Sequence, residues 1–150
     1  MTGPDTVQMD AEERDEFLGR SGTGVLSLST TSDDPPHSVP VSYGYDPVET
    51  VFYFRLSVGT ESGKANPTDR GITFVTYDEH DGRWKSVVAS GRLVSTTDSS
   101  LSKESLAGLE RTAQIPIVDL FGKPTSEVAF EFYRLDPDRL TARVERSVEP

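Results

Sequence analysis

The chain has 150 residues, 34% hydrophobic and 27% charged, enough apolar material for one core and well short of the ~250 residues at which cores divide. Lys and Arg total 15 against 25 for Asp and Glu, and the resulting charge of −10 opposes any nucleic-acid partner. There is no cysteine, only His37 and His80 as histidines, and no apolar run near the ~18 residues of a membrane span; this excludes disulfides and thiolate chemistry, argues against a metal centre, and predicts a soluble cytoplasmic protein.

In chain order, residues 1–9 lack periodicity and read as a flexible tail, followed by one domain over 10–145 and a short tail over 146–150. Asp10 is placed to cap a helix with Glu12 and Glu13 in its first turn and Phe17 and Leu18 on its apolar side; Gly19 and Gly22 stop it. Leu26 and Leu28 then alternate with Ser27 and Ser29, the mark of a strand, and 30–36 is rich in turn formers. Residues 37–45 form a second strand. After the Asp46-Pro47 turn, 51–57 form a third with Phe52, Phe54 and Leu56 on one face, so the two read as a hairpin.

Residues 58–71 contain three glycines and a proline and read as a functional loop. A strand over 72–77, a polar turn over 78–83 and a long strand over 84–96, bending at Gly91, come next. Leu101, Leu106 and Leu109 fit a short helix capped by Ser100, while Val128, Phe130 and Phe132 alternate as a further strand and 140–144 as a weaker extension. Because no long helix alternates with the strands, a parallel doubly wound sheet is excluded, and the expected fold is mainly β, a small antiparallel barrel with short flanking helices.

The chain has no glycine fingerprint for a dinucleotide, no Walker loop and no nucleophile elbow. Three segments stand out: Pro40-Val41-Ser42-Tyr43, Arg55-Leu56-Ser57 running to Ser62-Gly63-Lys64, and Trp84-Lys85-Ser86-Val87 running to Gly91-Arg92. Taken in order with Phe17-Leu18, Gly22-Thr23-Gly24-Val25-Leu26 and Phe52-Tyr53-Phe54, they resemble the pyridoxamine 5'-phosphate oxidase-like family of FMN-binding split barrels, over about residues 9–143. The resemblance implies a split β-barrel homodimer with FMN in grooves at the subunit interface.

It also implies a cofactor set of Val41, Ser42, Tyr43, Arg55, Leu56, Ser57, Ser62, Lys64, Trp84, Ser86 and Val87. An acidic chain must gather cations locally to hold a phosphate, and Lys64 and Arg55 are the candidates, with Ser62 adding a hydroxyl. At ~4 Å and an effective dielectric of ~20, one such contact contributes about 4 kcal/mol before desolvation. A solvated lysine and an exposed strand arginine are the plain alternatives. Val41 to Tyr43 match the strand whose backbone faces the flavin ring, and Pro40, lacking an N–H, marks an incomplete ladder. Trp84 and Ser86 share a strand face; from the residues themselves Trp84 reads as core packing and Ser86 as part of the site. His37 and His80 read as surface groups beside turns.

A bound flavin needs no protein nucleophile, so the expected activity is an FMN-dependent oxidoreductase of a small molecule, with NADH or NADPH as a candidate reductant. No catalytic residue is named. The C-terminal stretch from Arg143 does not match the arginine-rich segment that grips pyridoxamine phosphate in authentic oxidases. A non-catalytic flavin- or haem-binding module is the alternative. The excess of scattered carboxylates, with Arg outnumbering Lys 11 to 4, resembles proteins of salt-loving archaea and predicts a halophilic, haloarchaeal-type member of the family.

Overall fold

The computed structural model describes residues 6–30, 33–58, 70–96 and 129–146, with side chains throughout except at 57, 58 and 129–131. Eight strands and one helix run in the order β1 (Thr6–Gln8), α1 (Ala11–Leu18), β2 (Ser21–Leu28), β3 (His37–Asp46), β4 (Val51–Val58), β5 (Gly71–His80), β6 (Arg83–Thr96), β7 (Ala129–Leu135) and β8 (Arg139–Glu145). The helix expected near Leu101–Leu109, Ser62 and Lys64 lie outside the described residues. Among the described residues no helix is long and apolar enough to cross a membrane.

All strand pairings are antiparallel, and the sheet order β1-β8-β6-β5-β2-β3-β4-β7 closes through a further β6–β7 pairing. Six strands, β2 to β7, therefore form a barrel, and β8 with β1 extends the sheet from the side of β6. Closure depends on β6 changing partner. Its residues 85–90 pair with β8 and its residues 93–96 with β7. The change falls around Gly91, the expected bend, where a Cβ would lie 3.1 Å from Leu135 Cδ1 and 3.3 Å from the Asp138 amide. Glycine lets β6 pass close to the chain joining β7 and β8 without displacing its neighbours.

Alternation fixes what fills the barrel. Leu26 and Leu28 from β2, Phe52, Phe54 and Leu56 from β4, Ile72 and Phe74 from β5, Val87 and Ala89 from β6, and Tyr133 and Leu135 from β7 all face inward and are buried. The Phe74 ring is in edge-on or tilted contact with Tyr43, Phe52 and Phe54 at centroid separations of 5.0–5.4 Å. Gly24 makes room for it: a Cβ there would sit 2.7 Å from the Phe74 ring and collide with the Val75 carbonyl. On the opposite face of β4, Val51 and Tyr53 pack with Phe132 in a second buried cluster, so β4 is covered on both sides.

Helix α1 closes one barrel end. Asp10 caps it by accepting from the Glu13 amide at 2.8 Å, and it ends at Gly19, whose N–H donates to Asp15 O. Gly22 lies inside β2 and plays no part in that stop. The helix is tied down by Tyr43 Oη donating to Leu18 O at 2.9 Å, Tyr45 Oη donating to Asp15 Oδ1 at 2.6 Å, and the Lys85–Glu13 ion pair at 3.2 Å. Burial pushes the Tyr43 phenol up to about 12; burial and the neighbouring Asp15 carboxylate do the same to Tyr45.

The N-terminal segment differs from its reading as a tail. Thr6–Gln8 pair with Arg143–Glu145, Met9 donates its N–H to Ala142 O at 2.9 Å, and the Met9 side chain is buried in the core. Too short to show a period, this segment gains order from the open edge that β8 presents. Residues 139–145, expected as a weak extension, form a full seven-residue strand for the complementary reason: β8 is paired on both sides.

Candidate functional site

The barrel wall is interrupted where the site was expected. The β3–β4 ladder runs only from Asp46↔Val51 to Tyr43↔Phe54; beyond it β3 continues with β2 and β4 continues with β7. A seam thus opens between residues 38–42 and 55–58. Pro40 lies on it, opposite Val25 of β2, and needs no partner for an N–H it lacks. Val41 and Ser42 of β3 are brought to the same seam as Arg55, Leu56 and Ser57 of β4.

The side chains of the expected set divide by face. Val41, Tyr43, Leu56 and Val87 point into the barrel and are buried, so their backbone alone is presented outward. Ser42, Arg55, Trp84 and Ser86 occupy the alternate, outer positions. For Ser57 only the backbone is described. Trp84 departs from its packing reading: it is 49% exposed, beside Tyr77 with ring centroids 6.0 Å apart. His37 and His80 are exposed at strand ends, and His80 makes an edge contact with Phe17.

The outer face of β3-β2-β5-β6-β8 is organised in rows across the strands. Pro40, Val25, Val75, Val88 and Thr141 form an apolar row by direct cross-strand pairing. On one side lie Ser38, Ser27, Thr73, Ser90 and Arg139, with Ser27 and Ser38 hydroxyls 2.7 Å apart. On the other side, Ser42 pairs with Thr23, and Ser86 lies between Tyr77 and Arg143, paired with both. Thr76 Oγ1, buried, donates to Thr23 O at 2.7 Å and holds β5 against β2 where their own ladder has ended. An apolar strip edged by hydroxyls suits a flat ring with a polar rim.

A cleft of about 420 Å³ indents the hydroxyl-rich end of this face and is lined by Ser27, Ser29, Thr73, Ser90, Arg92 and Asp138 among others. Of the cofactor set expected from sequence, no residue whose side chain is described lines it. Period-two alternation put its hydroxyls on the outer side of their strands, yet only the register sets Ser27, Thr73 and Ser90 in one line.

The family model for pyridoxamine 5'-phosphate oxidase matches residues 10–144. The chain belongs to that family. Three solved structures share the split-barrel fold. The FAD-binding protein from Mycobacterium smegmatis has a TM-score of 0.60 at 19% identity, with 95% of this chain and 100% of that one covered. A FAD-binding protein from Mesorhizobium loti gives 0.59 at 22% identity, covering 93% and 96%. The FAD and heme binding protein from Mycobacterium smegmatis gives 0.63 at 14% identity, covering 98% and 76%. No curated protein matches the chain. Identities this low carry the fold and leave the ligand and reaction of this family member to its own residues.

Proposed function

We propose that this protein binds FMN and acts as an FMN-dependent oxidoreductase on a small molecule, as a homodimer with the cofactor at the subunit interface. The observation that carries the reading is the seam between β3 and β4, which brings the backbone of Val41, Leu56 and Ser57 together with outward Ser42 and Arg55. Backbone groups at the end of a ladder can meet the carbonyl and amide rim of a flavin. The row of Val25, Val75 and Val88 offers the apolar ground that its ring system requires. Flavin-binding relatives of the same fold support the choice of cofactor class.

In this reading Ser42, Arg55, Trp84 and Ser86 line the cofactor groove, and Lys64 with Ser62 complete the phosphate end. Bound flavin supplies hydride or single-electron transfer at its central ring; the protein binds, orients and excludes water. Haem binding is the second reading, favoured by the relative described as binding FAD and heme. Flavin is preferred because haem asks for an axial ligand, whereas both histidines, His37 and His80, are exposed at strand ends. The test is the absorption spectrum of the purified chain, before and after incubation with FMN. A two-band yellow spectrum retained after gel filtration is expected. A colourless chain that does not retain added FMN overturns the proposal, and a Soret band in its place selects haem. Turnover with NADH or NADPH and an acceptor separates the oxidoreductase from a binding module.

A further inference from the structure

The far end of the β5–β6 hairpin carries two large, exposed aromatic side chains: Tyr77 at 63% and Trp84 at 49%. They are diagonal cross-strand neighbours, since Tyr77 pairs with Ser86 and Glu79 with Trp84, and their rings lie 6.0 Å apart at 45°. The support beneath them is firm. Asp81 and Gly82 close the hairpin with positive φ at both residues, 55° and 77°, as a tight two-residue turn requires. Trp84 N–H also donates to Glu145 Oε1 at 2.9 Å, tying this end of β6 to β8. Two aromatic residues on a braced hairpin, on the face opposite buried Thr76 and Val87, offer a ready stacking surface.

The charges around the pair select what would stack there. Glu79 stands directly across from Trp84, and the Glu145 carboxylate is held at the Trp84 backbone. Arg143, opposite Ser86 on the same face, donates to Thr6 Oγ1 at 3.2 Å. Arg83, next to Trp84, alternates to the other face, where it pairs with His80. Lys85 also lies on that other face, in its ion pair with Glu13. Aromatic faces are electronegative and attract cations, Trp most strongly, and flanking carboxylates add to that attraction. We infer that Tyr77 and Trp84 form a binding platform for a planar aromatic cation, of which an oxidised nicotinamide ring is the type. Trp84 is shared with the proposed flavin groove; binding of the ring to the flavin-free chain does not rest on that reading, whereas a role for the bound ring in turnover does.

Trp84 is the one tryptophan of the chain, so its fluorescence reports the platform directly. The probe is 1-methylnicotinamide, compared with uncharged nicotinamide at constant ionic strength on the full chain. Saturable quenching is expected, with the cation binding roughly two- to fivefold more tightly than its neutral counterpart. Tyr77→Leu, at an exposed position, should weaken the cation by a similar factor, and Glu79→Gln should narrow the cation's advantage. Linear, equal quenching by both probes overturns the inference, as does affinity unchanged in Tyr77→Leu. A blue-shifted Trp84 emission that moves red only on dilution to monomer, with no response to either probe, would assign the pair to contact with a second copy and also overturn it. FMN uptake measured on the same samples keeps the two proposals distinguishable: Tyr77→Leu, outside the proposed flavin set, should weaken the cation and leave FMN uptake unchanged.

Discussion

Replacing Tyr43 by Phe removes one hydroxyl from the junction between α1 and the barrel and leaves the ring in place. Tyr43 is 3% exposed and its hydroxyl donates to Leu18 O, in the last turn of the helix. A buried carbonyl deprived of its donor costs about 1–3 kcal/mol. In a chain of this size each kcal/mol lowers Tm by roughly 2–4 °C. The substitution also has a signature in pH. A phenol raised to about 12 in the folded protein and near 10 unfolded holds its proton more tightly when folded. Its contribution is therefore complete below pH ~10 and is lost as pH rises toward 12, a loss on the order of 3 kcal/mol. Tyr45, held by Asp15, acts in the same direction. Urea unfolding of wild type and Tyr43→Phe from neutral to alkaline pH, with tyrosinate absorbance followed alongside, tests both parts. Wild type should lose stability above pH ~10 and the variant should lose less of it. Equal stability at neutral pH together with identical alkaline slopes would refute the account of α1 docking.

Gly24→Ala places a methyl group against the Phe74 ring and the Val75 carbonyl and should destabilise by about 1–3 kcal/mol, read as a lowered urea midpoint; an unchanged midpoint would mean that β2 has room to move there. Lys64→Ala should weaken retention of FMN more than that of riboflavin, since only FMN has the phosphate; equal losses by equilibrium dialysis would remove Lys64 from the phosphate end. Thermal melts in low and molar KCl should show Tm rising with salt, because a charge of −10 repels itself less when screened. A Tm indifferent to salt would end the halophilic expectation.

Much of this protein follows from its sequence through interactions that are local. Asp10 caps α1 because a carboxylate at that position reaches an amide three residues on. Phe52, Phe54 and Leu56 share a face because side chains alternate along any strand, and the chain reverses at Asp81-Gly82, which accepts positive φ, while Asp78–His80, expected in the turn, continue β5. The family, too, was legible, in the order of short motifs across most of the chain. What alternation cannot supply is which strand lies beside which, since that is set by partners dozens of residues away.

Tertiary structure alone decided that β6 would exchange β8 for β7 at Gly91, that β3 and β4 would part after Tyr43↔Phe54, and that Thr6–Gln8 would join the edge of β8. It also decided the fate of Trp84. A period of two places Trp84 with Ser86 and opposite Val87, but whether that face meets a core or the solvent depends on whether another layer covers it. In this chain the inward set of Val87 and Ala89 fills the barrel, and Trp84 is left outside.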